Sequence, residues 1–348
     1  MDILQPEKSE TVIKEAIAAV VSGKSLSQEL ATQVMIEIME GNATSAQISS
    51  LATALRMKGE TVDEITGMAN AMRGQSLKVN ISGPLVDTCG TGGDNLGTFN
   101  ISTAAAITAA AAGVRIAKHG NRAMSGFCGS ADVLEASGVK IDLSPDSVAQ
   151  CIREVGIGFM FAQKFHPAMR HASSPRREIG IRTIFNLLGP LTNPAAADAQ
   201  VLGIADGGFG LRMAQSLARL GTRRALVVHG MDGIDEISLA GPTAIWEVTG
   251  DNTTTYTVTP EEYGLSRGDL SHIKGGTPEE NAYLMVRILQ GEEGHLLNAV
   301  ALNAGAAIFV AGLAPDIHVG VSLALEILRG GVGLHTLERL STLSQDLD

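Results

Sequence analysis

A glycine-rich stretch at residues 87–103 has the residue types of an anion-binding loop. It reads DTCGTGGDNLGTFNIST, with four glycines, four threonines and a serine between an apolar run and an alanine-rich run. Bare backbone amides and short hydroxyls ahead of a helix suit a phosphate group. The stretch has no Walker lysine, and Asn95 stands at the last glycine position of a dinucleotide fingerprint. A glycine turn with an Asn or Ser helix cap is the structural alternative.

A second polar stretch, KHGNRAMSGFCGSADVLEASG, occupies residues 118–138. Lys118 offers a point charge to a phosphate, while His119 and Asn121 are suited to orienting a polar substrate. A single histidine of this kind is more often a hydrogen-bonded structural residue, and Asp132 is interpreted as a helix cap. The occurrence of two such loops in succession is what favours a ligand site.

Adjacent carboxylates, Asp235 and Glu236, lie in the stretch DGIDEIS at residues 232–238. In an acidic protein such a pair is usually a solvated turn. A polyphosphate substrate, however, requires magnesium, which proteins hold with one or two carboxylates together with the substrate. The two phosphate-type loops therefore favour a magnesium site here.

Arginines are concentrated between residues 165 and 194, FHPAMRHASSPRREIGIRTIFNLLGPLTNP. A guanidinium can bind a carboxylate through two parallel hydrogen bonds. We expect one of these arginines to bind ligand and the others to bridge helices. The four are Arg170, Arg176, Arg177 and Arg182.

The N-terminal part of the chain, residues 9–74, has apolar residues at helical spacing. Glycines at 23, 41, 59 and 74 mark predicted helix ends, so four short helices are expected. TVDE at residues 61–64 fits a capping box. No catalytic cluster occurs here, which indicates a packing or dimerisation domain.

After Gly74 short β-type runs alternate with helical segments, and each run ends in a polar or glycine-rich turn. This predicts an α/β fold: a mainly parallel central sheet with flanking helices, plus a smaller all-helical N-terminal domain. The predicted domains are 1–76 and 77–348, with about 170–192 packing back onto the first. Ligands of such sheets bind outside the carboxyl ends of the strands. The predicted strands are PLVD, VRIA, GFMF, QVLGIA and RALVV.

Composition limits the class of protein. The 348 residues are 45% apolar and 18% charged, which is typical of a globular chain of about two domains. The net charge of −11 argues against a broad nucleic-acid surface. Three cysteines without metal spacing predict a reducing compartment and no disulfide framework. The absence of a signal-peptide pattern and of long apolar runs predicts a cytoplasmic protein with no membrane partner.

Several motifs together resemble one enzyme family, the anthranilate phosphoribosyltransferases of the type III phosphoribosyltransferase fold, along essentially the whole chain. The family joins the amine of anthranilate to C1 of 5-phosphoribosyl-1-pyrophosphate (PRPP) and releases pyrophosphate. Pyrimidine nucleoside phosphorylases share the fold and similar loops, and a non-catalytic nucleic-acid-binding relative is a further alternative. KHGN with NLLGPLTNP favours the first family. The motifs, in order, are GTGGD, NIST, KHGN, GSADVLEASG, GIRTIFNLLGPLTNP and GIDEIS.

The resemblance also implies roles for individual residues. It implies two magnesium ions per active site, a homodimer formed through the helical domain, and Arg176 as the anchor of the anthranilate carboxylate. The implied PRPP-binding residues are Gly90, Thr91, Gly92, Gly93, Asp94, Thr98, Asn100, Ser102, Thr103 and Lys118. The implied anthranilate-binding residues are Gly90, His119, Asn121, His166, Arg176 and Gly189. The implied metal ligands are Ser102, Asp235 and Glu236.

The chain departs from the family at the second loop. Phe127 and Cys128 stand where the family often has a basic residue followed by a small one. A loop that usually adds positive charge near the phosphates is apolar here. Position 127 is therefore expected to be either tolerant or a determinant of PRPP affinity.

Overall fold

The computed structural model describes residues 11–123 and 127–347. The chain forms two compact units, which are described separately: Met1–Ser76 with His166–Thr192, and Leu77–Phe165 with Asn193–Asp348. We call them the helical unit and the α/β unit.

The described elements are as follows. The strands are β1 (Val86–Gly90), β2 (Ile116–Gly120), β3 (Ile157–Phe161), β4 (Ala199–Gly203), β5 (Arg224–Gly230), β6 (Thr243–Thr249) and β7 (Asn252–Val258). The α-helices are α1 (Val12–Val21), α2 (Gln28–Met39), α3 (Ser45–Lys58), α4 (Val62–Gln75), α5 (Ile101–Ala111), α6 (Ser130–Ala136), α7 (Pro145–Val155), α8 (Ala162–Phe165), α9 (Arg170–Ile179), α10 (Ile184–Leu188), α11 (Gly210–Arg219), α12 (Pro278–Leu289), α13 (His295–Ala311), α14 (Ile317–Arg329) and α15 (Val332–Asp346).

The helical unit contains the four predicted N-terminal helices, with α9 packed on α2 and α3 and α10 on α3 and α4. The predicted capping box is confirmed, because Thr61 and Glu64 bond each other's backbone amides. The Glu64 carboxylate also accepts a hydrogen bond from the Leu26 amide at 2.9 Å and pairs with Lys58 at 3.0 Å. One boundary prediction was wrong: Gly74 lies inside α4, which ends at Gln75.

The α/β unit is built on one seven-stranded sheet of order β3-β2-β1-β4-β5-β6-β7. Strands β1 to β5 are parallel, as the alternation of strands and helices predicts. The antiparallel hairpin β6–β7 was missed by sequence reasoning. Its signal was available, since TAIWEVT and NTTTYTV are separated by the turn dipeptide Gly250–Asp251.

Small side chains determine how the helices of the α/β unit pack. The alanine-rich helix α5 packs against α13, and α13 also contacts β1, β4 and β5. Helices α13 and α14 cross at two glycines, because a Cβ atom on Gly320 would overlap the carbonyl oxygen of Gly305. The close packing of these helices fixes the start of α5 relative to β1.

Among the described residues no single helix is long and apolar enough to cross a membrane, although the bent pair α14 and α15 passes a length and composition test.

Candidate active site at the carboxyl ends of the sheet

The first polar loop lies at the point where the order of the sheet reverses. From β1 the chain continues to β2 and β3 on one side and returns to β4 on the other, and ligands of open α/β sheets bind in the crevice this creates. The Thr91 amide donates to the Gly203 carbonyl at 2.9 Å, and the Gly92 amide donates to Oδ2 of Asp235 at 2.8 Å. The structure therefore brings the GTGGD loop and the predicted metal ligands together.

The glycines of this loop are required by its backbone. Gly92, Gly93 and Gly97 have φ angles of 62°, 76° and 65°, and Asn95 has a φ of 57°. Asparagine is one of the few residues with a side chain that enters this left-handed region readily. A Cβ atom on Gly90 would overlap Oδ2 of Asp235. The position that breaks the dinucleotide fingerprint thus preserves the turn.

The two adjacent carboxylates face the loop and the start of α5. The Glu236 carboxylate accepts a hydrogen bond from the Ser102 amide at 3.2 Å, at the N-terminus of that helix. Burial raises the pKa of Glu236 well above its usual range, and Asp235 raises that pKa further, whereas Lys118 lowers it. A cation bound beside the pair would favour the charged form. A magnesium ion would supply the positive charge that these two carboxylates need in order to remain ionised.

Two buried oxygen atoms near the loop are also suited to a ligand. Oδ2 of Asp94 and Oγ1 of Thr103 have no hydrogen-bond partner among the described residues. Within those residues no cluster of three or more His, Cys, Asp or Glu side chains could hold a metal alone. Magnesium commonly takes one or two carboxylates and completes its shell with phosphates and water. The carboxylates and the Ser102 hydroxyl are therefore an adequate donor set for magnesium only when substrate is present.

Lys118, expected to contact phosphate, is 1% exposed and lies within β2. Its ammonium group donates to the Thr88 carbonyl at 2.6 Å. Burial lowers the pKa of Lys118 and raises that of nearby Asp87, while the attraction between the two charges opposes both shifts. In this structure the ammonium group bonds the backbone of the neighbouring strand β1.

Asn100 joins the first polar loop to the second. Its side-chain amide donates to the Cys128 carbonyl at 3.0 Å, and its Oδ1 accepts from Asn281 at 2.8 Å. Thr98, in the same loop, forms an isolated antiparallel bridge with Lys274. Sequence reasoning missed the contribution of Asn281, because its burial near the start of α12 is visible only in the structure.

The other predicted residues of the second loop lie at its base. The His119 amide donates to Oδ1 of Asp87 at 3.2 Å, and Oδ1 of Asn121 accepts from the Arg122 amide at 2.9 Å. The capping interpretation of Asp132 is confirmed, because its Oδ2 accepts from the amides of Ala123 and Gly129, each at 2.9 Å. One carboxylate oxygen therefore holds both ends of the loop. Residues 124–126 of this motif lie outside the described residues.

Three predicted anthranilate-binding residues lie in the helical unit. His166 is 4% exposed and precedes a short 3-10 turn, and Gly189 follows α10. Arg176 is in α9, with its guanidinium carbon 5.5 Å from the centroid of the Phe185 ring. Burial lowers the pKa of Arg176 because it disfavours the charged guanidinium, and an anion bound beside the group would offset that cost.

Phe127→Lys tests the apolar substitution in the second loop. The Phe127 side chain is 79% exposed, so a lysine is accommodated there without repacking. We expect the KM for PRPP to fall by about threefold, because an exposed charge pair contributes up to about 1 kcal/mol. The KM for anthranilate should change less. Steady-state kinetics would measure both constants, with Leu313→Lys, another exposed apolar position, as control. An unchanged KM for PRPP would contradict a role for position 127.

The cysteines of the loops are expected to be unreactive. Burial raises the pKa of Cys128 to about 11 and places that of Cys89 well above its usual range. At pH 7.5 the thiolate fraction of Cys128 is then about 300-fold below that of an ordinary thiol. Mass spectrometry after iodoacetamide treatment should show little labelling of the native protein and labelling of all three cysteines after denaturation. Alkylation of native Cys128 as fast as free cysteine would contradict this prediction.

Comparison with known families defines the class of the protein. Residues 82–334 match the model described as "Glycosyl transferase family, a/b domain", and residues 14–76 match "Glycosyl transferase family, helical bundle domain". The fold, the two polar loops and the matched segments are therefore those of a glycosyltransferase.

Individual relatives narrow this class. Anthranilate phosphoribosyltransferase of Dehalococcoides mccartyi strain 195 is 51% identical over 338 residues, covering 97% of this chain and 99% of the relative. The crystal structure of the Thermus thermophilus enzyme has a TM-score of 0.90 at 48% identity and covers 95% of this chain and 99% of its own. The Saccharomyces cerevisiae enzyme in complex with PRPP and Mg has a TM-score of 0.89 at 26% identity, with coverages of 97% and 99%. The chain belongs to the anthranilate phosphoribosyltransferase family.

Proposed function

We propose that this protein transfers the phosphoribosyl group of PRPP to the amine of anthranilate, in the tryptophan pathway. The products are N-(5-phosphoribosyl)anthranilate and pyrophosphate. The observation that carries the proposal is the contact between the GTGGD loop and Asp235 where the sheet order reverses, in a chain of this family. No corresponding feature among the described residues favours the nucleoside phosphorylase alternative.

The phosphate and metal roles follow from the loop and the carboxylates. The amides of residues 90–94 and the hydroxyl of Thr103 bind PRPP, and Ser102, Asp235 and Glu236 hold two magnesium ions per site. When bound, magnesium stabilises the negative charge of the departing pyrophosphate. The yeast relative in complex with PRPP and Mg supports the metal. Lys118 contributes its charge from β2, the strand beside β1.

The chemistry requires little proton transfer from the protein. Departure of pyrophosphate leaves oxocarbenium character on the ribose, and backbone amides oriented towards the phosphates help to stabilise the negative charge of the leaving group. The arylamine of anthranilate is already a neutral nucleophile, so its alignment with C1 is the main requirement. The protein therefore needs no strong general base.

The proposed anthranilate-binding residues are Gly90, His119, Asn121, His166, Arg176 and Gly189. Arg176 is assigned to the carboxylate because a partly buried guanidinium can bind an anion by two parallel hydrogen bonds. Further proposals are a cytoplasmic location and a homodimer formed through the helical unit, where Val21 and Met57 are 71% and 83% exposed. Light scattering after size exclusion would test the dimer.

The loss of anthranilate fluorescence on mixing protein, PRPP and magnesium tests the function directly. We expect a loss that depends on enzyme and PRPP and stops when EDTA is added. Uridine or thymidine with inorganic phosphate should give no phosphorolysis. Absence of fluorescence loss at high enzyme concentration would overturn the proposal, and phosphorolysis would replace it with the nucleoside phosphorylase alternative.

A further inference from the structure

The two strands that lead into the polar loops are joined unequally to their neighbours. Strand β1 pairs with β4 along five residues, from Val86 with Ala199 to Gly90 with Gly203. With β2 its register pair is Val86 with Ile116, at the start of both strands. The later parts of β1 and β2 therefore need side chains to hold them together.

A buried pair, Asp87 and Asn193, supplies this connection. Asp87 is 0% exposed, and its Oδ1 accepts a hydrogen bond from the His119 amide at 3.2 Å. Its Oδ2 accepts from Nδ2 of Asn193 at 2.8 Å. The same Nδ2 donates to the Ala117 carbonyl at 2.8 Å, and Oδ1 of Asn193 accepts from the Ala195 amide at 2.9 Å. Backbone groups of β2 are thus satisfied by side chains where ladder partners are lacking.

This pair is continuous with the candidate metal site. Lys118 lies beside Asp87 and donates to the Thr88 carbonyl, and the Thr88 hydroxyl donates to the Ser102 carbonyl at 3.0 Å. The Ser102 amide in turn donates to Glu236. A displacement of Asp87 therefore affects β1, β2 and the start of α5.

We infer that Asp87, with Asn193 as its partner, is a positioning residue for the phosphoribosyl-transfer reaction. Because Asp87 is fully buried, we assign it a role through the backbone of the loops and no contact with substrate. Asp87 holds the end of β2 against β1. The second polar loop follows β2, and the first polar loop follows β1. The inference rests on the proposed function, because it assumes that both loops act on the same substrates.

The hydrogen-bond pattern predicts which substitutions fail. In Asp87→Asn, the new amide group faces Nδ2 of Asn193, so two donors meet. Turning the Asn193 amide would place its oxygen against the Ala117 carbonyl. In Asn193→Asp, two carboxylates meet. Combining both substitutions restores an amide-to-carboxylate bond and retains the bonds from the His119 and Ala195 amides, but it places a carboxylate oxygen against the Ala117 carbonyl, so that the rescue is partial.

The test is a double-mutant cycle of Asp87→Asn, Asn193→Asp and the combined variant, with kcat and KM measured for both substrates. We expect Asp87→Asn to lower kcat/KM for PRPP by about tenfold, since small misplacements of reacting groups are costly. The combined variant should be about fivefold more active than Asp87→Asn, as expected for directly coupled residues. If Asp87→Asn does not fold, Asn193→Ala removes the same bridge and should also lower kcat/KM for PRPP.

Asp198 provides a matched control, because it is an aspartate that also bonds the backbone next to β1 but lies beside β4, away from the contact with β2. It accepts a hydrogen bond from the Leu85 amide at 2.8 Å and pairs with Arg223 at 2.7 Å. Asp198→Asn should lower the Tm but leave both KM values unchanged.

The outcomes separate this inference from the proposed function. An inactive wild-type protein would overturn the proposed function. With an active wild type, a folded Asp87→Asn variant of equal kcat/KM, or a combined variant no better than Asp87→Asn, would overturn the positioning role. Equal losses of PRPP turnover in Asp87→Asn and Asp198→Asn would also overturn it, since a general loss of stability would then explain the effect.

Discussion

Replacing Asp235 and Glu236 together by alanine is expected to lower kcat by about 1,000-fold, because the charge on the leaving pyrophosphate would lose its metal and its preorganised surroundings. Asp235 also accepts a hydrogen bond from the Gly92 amide, and Glu236 accepts one from the Ser102 amide. In the double variant the first polar loop and the start of α5 therefore each lose a hydrogen bond. The activity that remains should respond weakly to magnesium. Initial rates of anthranilate fluorescence loss across a magnesium titration would measure both effects.

Glu292→Ala with Glu293→Ala is a suitable control for this experiment. It removes two adjacent carboxylates from exposed ion pairs with Arg287 and Arg329. Exposed pairs of this kind contribute about 0–1 kcal/mol to stability, so activity should be unchanged. Full turnover by the Asp235 and Glu236 double variant would reject the metal assignment.

Arg176→Ala is expected to raise the KM for anthranilate by about 30-fold, which corresponds to the roughly 2 kcal/mol of a charge-assisted hydrogen-bonded contact. The KM for PRPP should change little. The guanidinium beside Phe185 is partly removed from water, so its charge is costly when it is unpaired. A bound carboxylate would offset this cost. Arg176→Lys should recover only part of the loss, since an ammonium group cannot bind a carboxylate through a planar pair of donors.

Arg177→Ala serves as the matched control, because Arg177 is the next residue of α9 and is exposed. Its kinetic constants should equal those of the wild type. A substrate analogue gives a further comparison. With aniline, which has no carboxylate, the activities of the wild type and of Arg176→Ala should differ little. A normal KM for anthranilate in Arg176→Ala would assign the carboxylate to another residue.

The burial of Lys118 was not predicted from the sequence, which indicated a residue of a ligand-binding loop. KHGN indicates a ligand loop because it is polar and contains glycine. In the structure Lys118 and His119 are still part of β2, where successive side chains point to opposite faces of the sheet. The face that each residue occupies depends on register with β3 and on the divergence from β1. Neither property is visible in the local sequence.

The hairpin β6–β7 was missed for a related reason. Its strands alternate in polarity, and β7 is largely exposed, so it lacks the continuous apolar runs that mark the buried parallel strands. A search limited to such runs finds β1 to β5 and overlooks an antiparallel edge. The site itself was unaffected, since the loops extend from the parallel part of the sheet.

The amino-acid sequence alone was sufficient for the alternating α/β organisation, the four N-terminal helices and the residue types of the site, because these depend on local periodicity, on glycine conformation and on side-chain chemistry. The fold brings together Gly92 with Asp235, Ser102 with Glu236 and Asp87 with Asn193, pairs separated by more than 100 residues. Such contacts depend on strand order and on the packing of α5 against the sheet. They are therefore properties of the folded chain, in which buried polar groups must find partners wherever the topology places them.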